Sequence, residues 1–252
     1  MISEELLKEN HDICLQLLDK FIEVCNKYHI TYYLTEGSAL GAVRHQGFIP
    51  WDINVDVHLD IDEFKKLDNA MKSEDLGDLI WCRPPYRICA LLKRYDSDSK
   101  FTDPNIDISI MGFVPNNSIL RWLFMMFAFL NIKMFKLKNT DVKRKFPYNI
   151  LKIISSFFPD SFYFGNLKVL EKLSSKMKTK YKSALTPSFY GNSELIMSSW
   201  IGESPRIVSF EGRNVPTFQD IHGYLTLRYG DYMKPKVWES KGEYDGCFYD
   251  RS

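Results

Sequence analysis

Gly37-Ser38 and the run Asp52-Ile53-Asn54-Val55-Asp56 are the residues of this chain best suited to chemistry. A glycine before a serine at a helix start gives close backbone approach, open N–H groups and one hydroxyl, which together can cradle a phosphate. Such a pair standing alone is usually a plain turn. Here, about fifteen residues downstream, Asp52, Asn54 and Asp56 place oxygen donors at alternate positions. Crowded carboxylates repel one another unless a cation sits between them, and a divalent ion (magnesium or manganese) would take such donors. The plainer reading is a solvated strand face. Asp107 adds another carboxylate, and its neighbours Ile106 and Ile108 favour a buried position. A buried Asp needs a metal, an Arg or backbone donors. Beside a divalent ion it could orient or deprotonate an attacking hydroxyl.

These groups must be positioned by elements that the hydropathy pattern marks out. Residues 4–28 read as a helix, with Leu6, Leu7, Ile13, Leu17, Leu18, Phe21, Ile22 and Cys25 at three- and four-residue spacing. A strand over 31–34 runs into the Thr35–Ser38 turn and a helix near 39–45, stopped by Gly47 and Pro50. Residues 52–59 alternate as a half-buried strand. Ile53, Val55, Val57 and Leu59 face the core, and Asp52, Asn54, Asp56 and His58 share the opposite side. A helix over 62–72 follows, with Phe64, Leu67 and Met71 inward, then strands around 86–95 and 106–110. Residues 119–182 read as helical and basic: 131–182 hold thirteen Lys+Arg against three Asp+Glu, broken by Pro147 and Pro159. The segment 206–235 reads as strand, turn and helix, closing at Gly230.

Composition bounds the function. The chain has 252 residues with 33 Lys+Arg against 32 Asp+Glu, a formal net charge of +1. That balance argues against an electrostatic grip on nucleic acid. Apolar residues make up 45% and aromatics 15%, enough for a sizeable core. The five cysteines (Cys14, Cys25, Cys82, Cys89, Cys247) are scattered and form no CxxC pair, so a reducing, cytoplasmic setting is expected rather than a zinc ribbon or disulfide scaffold. The charged start MISEELLKEN does not read as a secretory signal. The longest apolar run, 119–132, has 14 residues, short of a membrane span of about 20 residues. It is either a buried helix or, with its basic neighbours, a peripheral contact at the inner face of a membrane.

The stretch from Tyr32 to Asp52, containing Glu36-Gly37-Ser38, Leu40-Gly41-Ala42-Val43-Arg44-His45 and Gly47-Phe48-Ile49-Pro50-Trp51-Asp52, resembles the LicD family of phosphotransferases. Phe210-Glu211-Gly212, Val215-Pro216, Tyr224-Leu225, Tyr229–Met233 and Pro235 fit as well; the resemblance covers residues 10–115 and 205–235. It implies an α+β, nucleotidyltransferase-like fold, a small mixed sheet flanked by helices. The whole chain then forms one domain, 1–252, with a helical insertion at about 118–185. It also implies a divalent cation held by Asn54, Asp56, Asp107 and Asp52, with Asp107 and Asp56 catalytic. The donor it implies is a cytidine-diphosphate-linked alcohol such as CDP-choline, and the acceptor a sugar hydroxyl of a bacterial surface glycan, lipid-linked or free. Animal relatives, the fukutin-like proteins, move ribitol phosphate. Two positions depart from the family. Where it reads PWDDDID, this chain has Asn54 in place of the first metal-binding Asp. After Asp107 it has Ser109-Ile110-Met111-Gly112 in place of a stretch with a further carboxylate.

Gly37, Ser38, Arg44, His45, Lys93 and Arg94 are the candidate donor-binding residues. Arg44 and His45 read equally well as a helix C-cap, and Lys93 and Arg94 as a solvated strand end. His58 reads as a hydrogen-bonded structural residue, and His11, His29 and His222 show no convergent partner in sequence. The expected activity is transfer of phosphocholine or a similar group with release of CMP. The alternatives are a degenerate member that binds nucleotide or glycan without turnover, and an ordinary nucleotidyltransferase.

Overall fold

Glu4–Lys27 form α1 because their apolar residues recur on one helical face; Cys14, Leu17, Leu18, Phe21 and Cys25 on it are fully or almost fully buried. This is a computed structural model, and it describes residues 4–82, 90–93, 104–139, 148–187 and 194–234. The remaining elements in chain order begin with β1 (Tyr33–Leu34), α2 (Glu36–His45), β2 (Asn54–Asp60), α3 (Ile61–Ser73), β3 (Leu79–Cys82), β4 (Ala90–Lys93) and β5 (Asn105–Val114). They continue with α4 (Ser118–Lys138), α5 (Tyr148–Ser156), α6 (Asp160–Ser175), β6 (Tyr181–Ala184) and β7 (Leu195–Met197). The last are α7 (Ser198–Ile201), β8 (Arg206–Phe210), β9 (Arg213–Thr217) and α8 (Ile221–Tyr229). The fold is α+β.

The strands form one nine-stranded mixed sheet in the order β3-β4-β5-β2-β1-β9-β8, with β6 on β5 and β7 on β6. Its centre is the parallel pair β2·β5, in a register that sets Asp56 beside Asp107 and Val57 beside Ile108. Strand alternation then separates two faces. Val55, Val57, Leu59, Ile106, Ile108 and Ile110 meet α1 and α3 in the larger core. Tyr33 and Met111 meet Leu40 of α2 and Tyr224 and Leu225 of α8 in a second core.

Several elements differ from the sequence expectation. The first strand is only Tyr33–Leu34, because the Thr31 N–H is taken by the Glu63 carboxylate rather than a neighbouring strand. Of the two readings of the polar side of β2, the plainer one, a solvated face, does not hold: α2 and α8 cover it, leaving Asp56 8% and His58 2% exposed. β3 is additional. The expected strand over 86–95 is described only at 90–93. The basic middle is not helical to its end, since Tyr181–Ala184 extend as β6 and pair antiparallel with the second half of β5. Pro159 stands at the N-cap of α6, as a helix breaker should, while Pro147 lies outside the described residues.

Candidate active site

The site is built where the N-terminus of α2 meets the start of β2. Glu36, the first residue of α2, has φ +51°, a left-handed conformation disfavoured for a residue with a Cβ. Its backbone N–H donates to the Tyr224 hydroxyl (3.1 Å), and its carboxylate pairs with Arg228 at 2.9 Å. Arg228 also faces Glu194 at 3.5 Å, and all three side chains are at least nine-tenths buried. Gly37 follows for a steric reason: a Cβ there would stand 2.6 Å from Asp52 Oδ2 and 3.8 Å from Asp56 Oδ2. The helix can approach the acidic strand this closely only without a side chain. The Ser38 hydroxyl accepts the Asp56 N–H at 2.9 Å, which ties α2 to β2 and leaves the hydroxyl proton to donate elsewhere.

Asp52, Asn54 and Asp107 are half-buried beside the buried Asp56. The Asn54 amide joins the two strands: Nδ2 donates to Asp56 Oδ1 (3.1 Å) and to Asp107 Oδ2 (3.3 Å). Asp52 turns its Oδ1 to the Ile53 N–H (3.0 Å). Among the described residues no three His, Cys, Asp or Glu side chains are placed to share one metal ion; the expected donor set drew on the Asn54 amide as well. An uncharged amide sits between Asp56 and Asp107. Those two carboxylates plus an amide that turns its oxygen inward still suit a hard divalent cation, at lower affinity than a full carboxylate set.

Electrostatics mark the same place. Burial pushes the Asp52 carboxyl up to about 7; the N–H groups of Ile53 and Asn54 oppose this and the charges of Glu36 and Asp107 add to it. Asp56 is also held well above the usual carboxylate range, first by burial and then by Glu36, Asp52 and Asp107, against the pull of Arg228. His58 is pushed down to about 4 by burial, and its Nδ1 lies 2.6 Å from Thr35 Oγ1, the structural role expected of it. A carboxyl with a raised folded-state pKa favours folding at low pH, and that contribution is lost as pH rises through the folded value. His58 acts oppositely, but its effect is complete by about pH 6.5, where an unfolded His loses its proton. The cation-free protein should therefore lose thermal stability between pH 6.5 and 8. Asp52→Asn should flatten that slope in a calorimetric series, and an unchanged slope would count against the Asp52 assignment.

The other candidates separate. Arg44 and His45 stand at the far end of α2, about 10 Å along the helix from Gly37 at 1.5 Å per residue. There Arg44 Nη1 donates to the Tyr232 carbonyl (3.1 Å) and Nε to His45 Nε2 (3.0 Å), so the pair serves the helix end. Lys93 lies on the sheet face opposite Asp107, since Ala90 pairs with Asp107 and side chains alternate. Its amine pairs with Asp78 at 2.8 Å. Arg94 lies outside the described residues. His11, which shows no partner in sequence, stacks on Phe48 (4.1 Å) and reaches the Asp52 carbonyl with Nε2 (2.7 Å).

A family model described as the LicD/FKTN/FKRP nucleotidyltransferase domain matches residues 29–149, which carry α2, β2 and Asp107. The lipopolysaccharide cholinephosphotransferase LicD of Haemophilus influenzae is 26% identical over 250 residues, spanning 90% of this chain and 91% of that one. The chain belongs to the LicD family. Shorter matches run to an uncharacterized protein of Rickettsia prowazekii, 35% identical over 75 residues (29% of this chain, 28% of that one). Another is an uncharacterized protein of Rickettsia typhi, 38% identical over 77 residues (29% and 24%). In this LicD-family chain the Glu36–Arg228–Glu194 cluster is the part of the site that sequence reasoning did not find. Glu36 directly precedes Gly37-Ser38, which is a local signal. Arg228 and Glu194 are brought to it only by the tertiary fold.

Proposed function

We propose that this chain transfers phosphocholine, or a closely similar phosphorylated alcohol, from a cytidine-diphosphate-linked donor to a sugar hydroxyl of a lipopolysaccharide-type glycan, releasing CMP. Family membership supports the coarser activity, a transferase of phosphate-containing groups. The observation that carries the finer reading is the Asp56–Asp107 pair, side by side on parallel strands beside the first turn of α2, which Gly37 brings close to them.

A divalent cation held by Asp56 and Asp107, with the Asn54 amide oxygen and Asp52 beside them, would neutralise charge on the donor diphosphate. The chain's own residues do the rest. The missing side chain of Gly37 lets the start of α2 lie against Asp52 and Asp56, so that a donor phosphate bridged by the cation comes within reach of the helix N-terminus. Asp107 orients the acceptor hydroxyl and takes its proton as the oxygen bonds to phosphorus. The bond from that phosphorus to the CMP oxygen breaks, and CMP leaves. Positioning and charge compensation supply most of the rate in phosphoryl transfer. Protein, magnesium or manganese, CDP-choline and a lipopolysaccharide acceptor should release CMP in step with choline entering the glycan. Absence of CMP release with every CDP-alcohol, before and after Asn54→Asp, would overturn the reading. A nucleotide appearing on the acceptor would point to an ordinary nucleotidyltransferase.

The Asn54 amide bridge favours a second reading, a binder without turnover. It gives each carboxylate one hydrogen bond without a cation. Asn54→Asp distinguishes the two. Adding a charged ligand should tighten magnesium or manganese about tenfold or more by calorimetry, and raise turnover with it if the chain is an enzyme. Binding of CDP-choline with no turnover in either form would favour the binder.

A further inference from the structure

Helix α5 carries its polarity inside out. Ile153 and Ile154 are 60% and 43% exposed and Phe157, just beyond the helix, is 80% exposed, whereas Ser155 is fully buried. The Ser155 carbonyl accepts the Tyr163 hydroxyl at 2.9 Å, which sets the Ser155 side of α5 against α6. Its neighbours also turn large apolar side chains outward, although their inner sides are largely apolar too. α4 exposes Trp122, Phe127 and Leu130 while burying Asn131, whose Nδ2 donates to the Tyr163 carbonyl and whose Oδ1 accepts from Asn166. α6 exposes Phe162 and Leu173, and Phe162 stacks on Phe158 at 4.7 Å, which joins the α5 and α6 surfaces. A helix bathed in water places its apolar stripe inward. Large apolar side chains turned outward on three helices that pack together mark a contact surface.

Charge selects the occupant. Residues 133–139 and 148–182 hold ten lysines against Asp160 and Glu171. Lys138 is paired with Asp160 and Lys182 with Asp60. Lys168, Lys172, Lys176 and Lys178 are exposed around the apolar groups. Lysine is depleted at protein–protein interfaces. At bilayer surfaces it is favoured, because its stem lies along apolar ground while the amine reaches lipid phosphates. α4 is also, by length and composition, apolar enough to cross a membrane. Its Asn131, Ile132 and Phe135 side is buried within the protein, which leaves the opposite side for lipid.

We propose that the α4–α5–α6 surface lies in the interfacial layer of an anionic bilayer, apolar side chains among the acyl chains and lysines among the headgroups. This goes beyond the transferase reading, and its test needs no catalytic readout. The full chain is floated with vesicles of phosphatidylethanolamine and phosphatidylglycerol, and separately with phosphatidylcholine alone. It should float with the first and stay behind with the second. Ile153→Ser with Phe157→Ser should lower vesicle partition at least about tenfold, as expected for two apolar side chains withheld from lipid. Lys168→Glu with Lys172→Glu should weaken binding and reduce its salt dependence. The substituted side chains are exposed, so circular dichroism and melting temperature should stay unchanged. A wild-type chain that remains in solution with both vesicles, or binds both equally, overturns the proposal. So does a stable dimer in sedimentation equilibrium that dissolves on the Ile153/Phe157 change, since the surface would then belong to a second copy of the chain.

Discussion

Asp56→Ala should lower kcat/KM by about a thousandfold, the scale of removing an electrostatic group aimed at a reacting centre, while the cation-free protein keeps or gains stability. The two halves of that expectation come from the same geometry. Asp56 lies beside Asp107 in strand register and accepts the Asn54 amide, so in the proposed mechanism its carboxylate would hold the cation. The same carboxylate is buried among Glu36, Asp52 and Asp107, and burial with like-charge repulsion holds it well above its ordinary pKa. An acid in that state does not stabilise the fold at neutral pH, and its removal relieves repulsion. Steady-state kinetics with CDP-choline and a melting curve at pH 8 in chelator check both halves. Activity above about a tenth of wild type would remove Asp56 from the proposed site. A melting point that falls by many degrees would show that Asp56 is structural. Asp56→Asn is the control for shape: it should be nearly as inactive, because the isosteric amide keeps the packing and loses the charge.

How far the sequence led to this site depended on the range of the contacts involved. The alternation in residues 52–59 placed the core side of β2 and grouped Asn54 and Asp56, because strand periodicity is local, although the strand runs Asn54–Asp60 and leaves Asp52 and Ile53 ahead of it. It did not show that α8, more than 160 residues later, covers the other side, so a solvated face stood beside the cation-binding reading as the plainer alternative, where Asp56 and His58 are in fact buried. Gly37 stood out as a glycine, but its reason is a 2.6 Å approach to Asp52 that only the folded chain reveals. Arg44 and Lys93 had suitable charge, yet one serves the C-terminal end of α2 and the other points to the opposite sheet face. Short strands such as β3, β6 and β7 have too few residues to display a period. The apolar residues of α4–α6 were visible as a pattern. Which side faced out was not, since periodicity fixes a stripe and not its direction.

The Glu36–Arg228–Glu194 cluster was the least legible feature, and its removal should have the largest effect on stability. Arg228→Met should cost about 3–5 kcal/mol, the range for breaking a buried ion pair by deleting one partner. At about 2–4 °C per kcal/mol for a chain of this size, the melting temperature should drop by roughly 10 °C or more. The methionine fills much of the space, so lost packing is a small part of the loss. The larger part is two glutamates left in a buried site, with Asp56 nearby and its Arg228 counter-charge gone. A second consequence follows at the head of α2. Glu36 holds φ +51° with its N–H on Tyr224 and its carboxylate on Arg228. Without the Arg, the strained residue has less to hold it, and the Gly37 approach to Asp52 should loosen. Glu36→Gln in the Arg228→Met background removes one of the stranded charges and should restore a substantial part of the lost stability, although Glu36→Gln alone destabilises. That sign reversal in a double-mutant cycle is the signature of a coupled pair. Urea unfolding of the four proteins measures it. If the two substitutions simply add, Arg228 and Glu36 are not coupled, and the head of α2 is held by Tyr224 and the Ser38–Asp56 bond instead.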